Sequence, residues 1–239
     1  MHNLTINMKF WDDGQKDSTR IRNVNFSWRE LKRFASFLKK NGIDVDFNLY
    51  DFSPEKIIED AIHIPYPLGV YKKAEKTNII LKEKSNFDFF MMMDCDAFFC
   101  KDDYDLFLNL YRELEIGDIV TFDLAKLNDS LSEYIVDGEF IKEKADFSYA
   151  YSGARENGPL AHHIGGLGGV YLCDTKLLLE LGGFDEKYTG WGGEDGDKLD
   201  KIWQSKTPHR FKPTKNFAPF HLPHFSDWSN VNYSRRFEE

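Results

Sequence analysis

The sequence predicts an α/β fold with a mostly parallel central sheet flanked by helices, and three observations predict it. The first is the run Phe87 to Phe99, FDFFMMMDCDAFF, apolar apart from Asp88 until it meets Asp94. A continuous hydrophobic run of this kind suits a strand buried on both faces at the centre of a parallel sheet. The second is the order strand, helix, strand, helix, helix, strand over the first hundred residues, the pattern of a Rossmann-like βα half. The third is that the central run stops at Asp94 and Asp96, at the strand end where open α/β sheets present their ligand crevices.

Leu4 to Phe10 reads as the first strand, and Asp12 to Arg20 as an exposed polar loop carrying Arg20 towards Arg22. Those two arginines suit either phosphate contacts or a solvated face. Ser27-Trp28-Arg29-Glu30 has the spacing of a capping box, which predicts that a helix begins there. Leu31, Phe34, Ala35 and Leu38 continue it at helical spacing to Lys39-Lys40-Asn41-Gly42. Ile43 to Tyr50 alternates as the second strand, closed by Asp51, which suits a ribose or uracil contact or, equally, turn chemistry. Ser53-Pro54-Glu55 predicts a further helix start. A helix from about Val70 to Lys84, with Lys72, Lys73 and Lys76 as basic positions, then feeds the central strand. Beyond it, Asp102 to Glu115 reads as an amphipathic helix, Asp118 to Phe122 as a strand, and Asp123 to Gly158 mostly as loop with a strand near Phe147 to Tyr151. Val170 to Cys173 is another strand, and a helix begins near Glu194.

Composition narrows the function classes. The 239 residues can bury a full core as one unit, and no internal repeat or linker forces a cut. A net charge of −9 argues against a nucleic acid or an anionic membrane as the main partner, and it means that an anionic substrate needs a local source of positive charge. Cys95, Cys100 and Cys173 have no Cys-x-x-Cys spacing, so free thiols in a reducing compartment are expected. No signal pattern and no apolar stretch of membrane-spanning length is found, so the expectation is a soluble, cytoplasmic chain with peripheral membrane association left open.

Four patches carry candidate chemistry. Asp94-Cys95-Asp96 suits a hard divalent cation with its remaining positions filled by water and phosphate oxygens, although such a pair also serves as a strand cap. Gly165-Gly166-Leu167-Gly168-Gly169 precedes a strand, where glycines let a ligand approach the backbone closely; His162 and His163 stand just before it. Gly182-Gly183-Phe184-Asp185-Glu186 leads through Gly190-Trp191-Gly192-Gly193 into Glu194-Asp195-Gly196-Asp197. Acids in a first helical turn are favoured by the helix dipole, yet that does not account for the rigid Trp-Gly-Gly platform aiming them. His221 and His224 end a short apolar run, and imidazole is a reasonable ligand for manganese-like cations.

Together, the Asp-x-Asp after an apolar strand, Gly168-Gly169, the Gly-Gly-Phe-Asp-Glu loop, Gly190 to Asp195 and a late histidine resemble a glycosyltransferase of the GT-A fold. The subgroup they resemble is the β-1,4-galactosyltransferase and chondroitin-synthase type, with a generic family 2 first half. The resemblance implies one GT-A catalytic domain over residues 1–239, with residues 1–100 as the nucleotide-sugar half, 101–239 as the acceptor-binding half, and a smaller acceptor-side region beside the central sheet. Asp94 and Asp96, completed by His221 or His224, would bind Mn²⁺ or Mg²⁺ and through it the diphosphate of a UDP-sugar. Asp51, Lys73, Asp94, Gly168 and Gly169 would be donor contacts. Asp195 would be the general base, and Glu194 would hydrogen-bond a sugar. Trp191, Gly192, Gly193 and Glu194 would face a carbohydrate or glycolipid acceptor. The reaction implied is inverting transfer of a hexose such as galactose or N-acetylgalactosamine in polysaccharide or surface-glycan synthesis. Rival readings are a catalytically silent carbohydrate- or nucleotide-binding protein of the same fold and a sugar nucleotidyltransferase. The second would be expected to carry a glycine-rich phosphate loop near the first strand, and none lies between Phe10 and Arg20.

Overall fold

The computed structural model describes residues 2–11, 18–67, 72–128, 134–136, 139–150, 154–155, 158–159, 169–189, 193–214, 218–223 and 235–236. The chain enters as β1 (Asn3–Phe10), crosses in α1 (Ser18–Lys40), and continues as β2 (Asp44–Asp51) and the short β3 (Ile62–His63). Helix α2 (Lys73–Glu83) leads into β4 (Phe89–Asp94), β5 (Ala97–Phe98) and α3 (Tyr104–Arg112). Next come β6 (Asp118–Thr121), β7 (Leu124–Leu127), the paired β8 (Ile135–Val136) and β9 (Glu139–Phe140), β10 (Phe147–Ala150), and the paired β11 (Ala154–Arg155) and β12 (Gly158–Pro159). The remainder is β13 (Val170–Asp174), α4 (Thr175–Glu180), β14 (Tyr188–Thr189), α5 (Glu194–Gln204), β15 (Arg210–Pro213), β16 (Phe220–His221) and β17 (Arg235–Arg236).

The main sheet has seven strands in the order β15-β6-β13-β4-β1-β2-β3, so the Phe-Met run stands at its centre. β4 is parallel to β1, and β1 to β2, whereas β13 runs antiparallel to both β4 and β6. The sheet is therefore mostly parallel, and it takes strands from both ends of the chain. Alternation along β4 shows why its run has no polar face. Phe89, Met91 and Met93 join one core cluster with Phe34 of α1 and Phe107 of α3, while Phe90 and Met92 join a second with Ile80 of α2, Leu178 of α4 and Ile202 of α5. Helices thus cover both faces, the layered arrangement in which every apolar stripe finds a partner.

Two helix starts differ from expectation. Helix α1 begins at Ser18, so Ser27 lies inside it and is fully buried. The reason is that Ile21, Val24 and Trp28 extend the stripe of Leu31 upstream at helical spacing and pack in the same core, so the helix continues back past the apparent cap. Glu30 accepts from Arg33 at 2.9 Å and from Arg29 at 3.4 Å. No helix forms after Pro54, because the Asp51 carboxylate accepts from the backbone amides of Ser53, Ile57 and Ile58 at 2.9, 2.7 and 2.9 Å and folds the segment into a turn.

The 123–158 stretch, expected as loop apart from a strand near Phe147, supplies two strands of a second sheet. Its four strands run β10-β7-β16-β5, with β16 parallel to β7 and antiparallel to β5. Phe98 and Phe220 stack across it at 5.7 Å between ring centroids, and Phe26 of α1 closes its core. Its register pairs His221 with Ala97, the residue after Asp96. Among the described residues, no helix is long and apolar enough to cross a membrane.

Candidate metal and carboxylate site

β4 ends at Asp94, and the chain turns at Cys95 and Asp96 before re-entering structure in the second sheet. The strand therefore does not continue through Cys95. The Cys95 side chain packs against the core cluster of β1 and α1, and burial pushes its thiol up, with the charges of Asp96 and Asp94 adding to the rise. All three cysteines are free.

The turn brings Asp96 beside β16. Leu222 donates its amide to the Asp96 carbonyl at 2.8 Å, and His221 Nε2 lies 3.3 Å from Asp96 Oδ1. One ligand atom each from Asp94, Asp96 and His221 lie within 4.8 Å of one another, a spacing at which all three can reach a single ion. Two carboxylates and an imidazole are a donor set for a divalent cation of the manganese type. Burial raises the Asp94 carboxyl above its usual range; Lys73 opposes the rise and the Asp96 charge adds to it. A like-charged pair at a strand end is what a bound cation would relieve.

Gly169 fits this corner by having no side chain. The amide of Asp94 donates to the Gly169 carbonyl at 2.7 Å, and a Cβ at position 169 would collide with Asp94 Oδ2. Its value is room for the carboxylate.

The second acidic group comes from the start of α5. Gly193 caps that helix, its carbonyl accepting from the Asp197 amide at 2.9 Å. Glu194 is buried, and its carboxyl is held above the ordinary range by burial and then by the Asp195 charge, with Lys73 opposing. Lys73, in the first turn of α2, donates to Asp195 Oδ2 at 2.7 Å and stands 3.2 Å from Glu194 Oε1. Lys73 therefore pairs the two acids, and its charge also acts on Asp94.

Lys9 escaped the sequence reading. It lies at the end of β1, in register with Asp94, and donates to Thr77 Oγ1 of α2 at 2.7 Å. Burial, then the Lys73 charge, lowers its ammonium to about 8, while Asp94, Asp195 and Glu194 pull the other way. The available signal is that Thr5, Asn7 and Lys9 are the polar positions of a strand whose Leu4, Ile6, Met8 and Phe10 are apolar. All three are buried, although alternation alone would place them in water.

Of the other expected residues, Asp51 requires correction. It is 0% exposed and its oxygens are occupied by the three amides of its turn, so the turn chemistry is what the structure supports and a donor contact through that carboxylate is not. Arg20 lies 5.8 Å over the Phe10 ring and Arg22 is exposed. Gly168, Trp191, Gly192, His224, His162 and His163 lie outside the described residues. A cleft of about 370 Å³ lies against α2 and the loop before β14, lined by Asn78, Lys82, Gly183 and Lys201 among others, and not by the acids of the site.

Comparison with known proteins bears on the fold and on one segment of the sequence. Residues 151–224 match the family described as "N-terminal domain of galactosyltransferase", a span that includes Gly169, Glu194, Asp195 and His221. A putative polypeptide N-acetylgalactosaminyltransferase 10 of Caenorhabditis briggsae is 32% identical over 78 residues, covering 28% of this chain and 12% of that protein. The chain thus spans about an eighth of that relative's length. A Drosophila β-1,4-galactosyltransferase 7 mutant, solved with manganese, UDP-Gal and xylobiose, superposes with a TM-score of 0.53 at 15% identity, covering 94% of this chain and 72% of the other. GalNAc-T7 with UDP, GalNAc and Mn²⁺ superposes with a TM-score of 0.57 at 13% identity, covering 95% and 45%. The chain has the fold of these GT-A structures, and its residues 151–224 are similar to the galactosyltransferase segment.

Proposed function

We propose that the chain is a metal-dependent inverting glycosyltransferase that moves a hexose, galactose or N-acetylgalactosamine or a close relative, from a UDP-sugar to a carbohydrate or glycolipid acceptor. The observation that carries this reading is the convergence of Asp94, Asp96 and His221 within 4.8 Å, with Lys73 coupling that corner to Glu194 and Asp195. The galactosyltransferase-type segment and the two solved relatives bound to manganese and UDP or UDP-Gal support it.

Asp94, Asp96 and His221 would hold Mn²⁺ or Mg²⁺, with His224 as the further candidate ligand. When bound, the cation supplies positive charge against the leaving diphosphate. Asp195 accepts the proton of the acceptor hydroxyl, since inversion needs one carboxylate beside the nucleophile and no second acid to protonate the leaving group. Lys73 orients Asp195 through its 2.7 Å bond and lies within electrostatic reach of the metal corner, which suits a contact to donor phosphate. Glu194 would hydrogen-bond a sugar hydroxyl, and Trp191, Gly192 and Gly193 would face the acceptor. In this reading residues 1–100 supply most donor contacts and residues 101–239 the acceptor side, although His221 crosses that division to reach Asp96.

The test is calorimetric titration of UDP into the protein with and without Mn²⁺, followed by UDP-release assays across a panel of UDP-sugars. Mn²⁺-dependent binding and release from one sugar are expected. Binding of UDP that ignores the metal, or release of pyrophosphate in place of UDP, would overturn the reading.

A further inference from the structure

The acids at the start of α5 owe their place to more than their own helix. The loop before β14 carries the Gly182-Gly183-Phe184-Asp185-Glu186 motif, and Asn78 of α2 holds it by three hydrogen bonds. Its Nδ2 donates to the Phe184 carbonyl and to Glu186 Oε1, each at 2.8 Å, and its Oδ1 accepts from the Phe184 amide at 2.8 Å. A buried side-chain amide with both ends used is a specific clamp, because leaving any of these groups unpaired costs its full desolvation. The loop is shaped to receive it. Gly183 has φ +68°, and a Cβ there would strike Asn78 Oδ1.

The same loop is tied to α5. Lys198 donates to the Leu181 carbonyl at 3.2 Å, and Lys201 stands 3.9 Å from Asp185 while pairing with Asp197 at 2.6 Å in the first turn of the helix. Five residues upstream of Asn78 on α2 is Lys73, bonded to Asp195. Helix α2 therefore grips the α5 acids twice, directly through Lys73 and indirectly through Asn78, the loop and the two α5 lysines.

We infer that Asn78 is a positioning residue for the Glu194 and Asp195 pair: it fixes the Gly182 to Glu186 loop to α2 and thereby sets where the start of α5 stands relative to Lys73 and the metal corner. This rests on the proposed transferase reading for its effect on turnover, though not for the clamp itself. The residue touches no reacting atom. Its loss displaces a carboxylate whose usefulness depends on placement, and a misplacement of about 1 Å can cost about 100-fold in rate.

The experiment compares wild type with Asn78→Ala and with Asn78→Asp, which keeps the side-chain shape and the acceptor for the Phe184 amide but loses both donations. Hydrogen exchange is read at the first turn of α5 and at β4, with calorimetric titration of UDP and Mn²⁺ and UDP release from UDP-galactose and UDP-N-acetylgalactosamine. Faster exchange at the Phe184 amide and the α5 start, with β4 unchanged, is expected, with UDP affinity within about twofold of wild type and turnover lower by about 10- to 100-fold. In an Asp195→Asn background, Asn78→Ala should cost less than it does alone, since the two changes share the Asp195 carboxylate. Unchanged α5 exchange, UDP affinity falling in step with turnover, or fully multiplying losses in the double variant would overturn the inference. Wild type that binds no UDP with Mn²⁺ would sink the transferase reading instead, and the exchange result would still decide the clamp.

Discussion

The molecule gathers acids twice, and it treats the two groups differently. At the metal corner, Asp94 and Asp96 meet with an imidazole beside them. At the start of α5, Glu194 and Asp195 meet around the ammonium of Lys73. Burial pushes both Asp94 and Glu194 carboxyls up, and like charge adds to it in each case. The difference is the source of compensation. The α5 acids have a cation bonded within 3.2 Å that belongs to the chain, so their geometry is built in before any ligand arrives. At the corner at β4 the His221 imidazole stands 3.3 Å from Asp96 Oδ1, and Lys73 acts on Asp94 by its charge. In the proposed reading, a chain with net charge −9 would keep its acid-base group preset while leaving substrate binding conditional on metal.

The sharpest way to break that comparison is to remove a corner ligand. Asp96→Ala should abolish Mn²⁺-dependent UDP binding, read by calorimetry, while leaving the fold intact by circular dichroism; unchanged affinity would move the metal elsewhere. The matching change at the other group is Asp195→Asn. It should leave Mn²⁺-dependent UDP affinity near wild type and lower turnover by about two orders of magnitude or more, the usual loss for a general base. Turnover that survives would make Asp195 structural, a partner for Lys73 and nothing else. A smaller change sharpens the contrast without deleting any acid. Gly169→Ala places a methyl against Asp94 Oδ2 and should weaken UDP binding in Mn²⁺ by about tenfold, the equivalent of an overpacking cost of ~1–3 kcal/mol. Affinity in the absence of metal should not move, and a loss there would show that Gly169 meets the nucleotide directly.

The two groups also differed in how far they could be read in advance. Asp94 and Asp96 announced themselves because an all-apolar strand ended on them, and Glu194 and Asp195 because glycines and a tryptophan preceded them at a helix start. His221 was legible as one of two histidines, but its register opposite Ala97 depends on β16 pairing with a strand more than a hundred residues away. Asp51 misled because an acidic strand end suits a ribose and a turn equally. The choice was made by which backbone amides the tertiary fold left nearby. Ser27 misled because a capping box is a local pattern, and the stripe of Ile21, Val24 and Trp28 continuing into a shared core outweighed it.

What the sequence determined by itself is what short-range periodicity encodes: the central strand, most of the helices, the parallel βα order of the first half and the acids at two element ends. These follow from side chains within a few residues of one another, so the linear pattern carries them. Tertiary structure alone decided the contacts between distant segments. It buried Lys9 against α2 and Asn7 within the sheet, paired Lys73 with acids 121 and 122 positions on, hung the Gly182 to Glu186 loop from Asn78, and built the second sheet that delivers His221. Polar groups in an interior take whichever partners the packed layers bring within hydrogen-bond reach, and no local spacing records which ones those are.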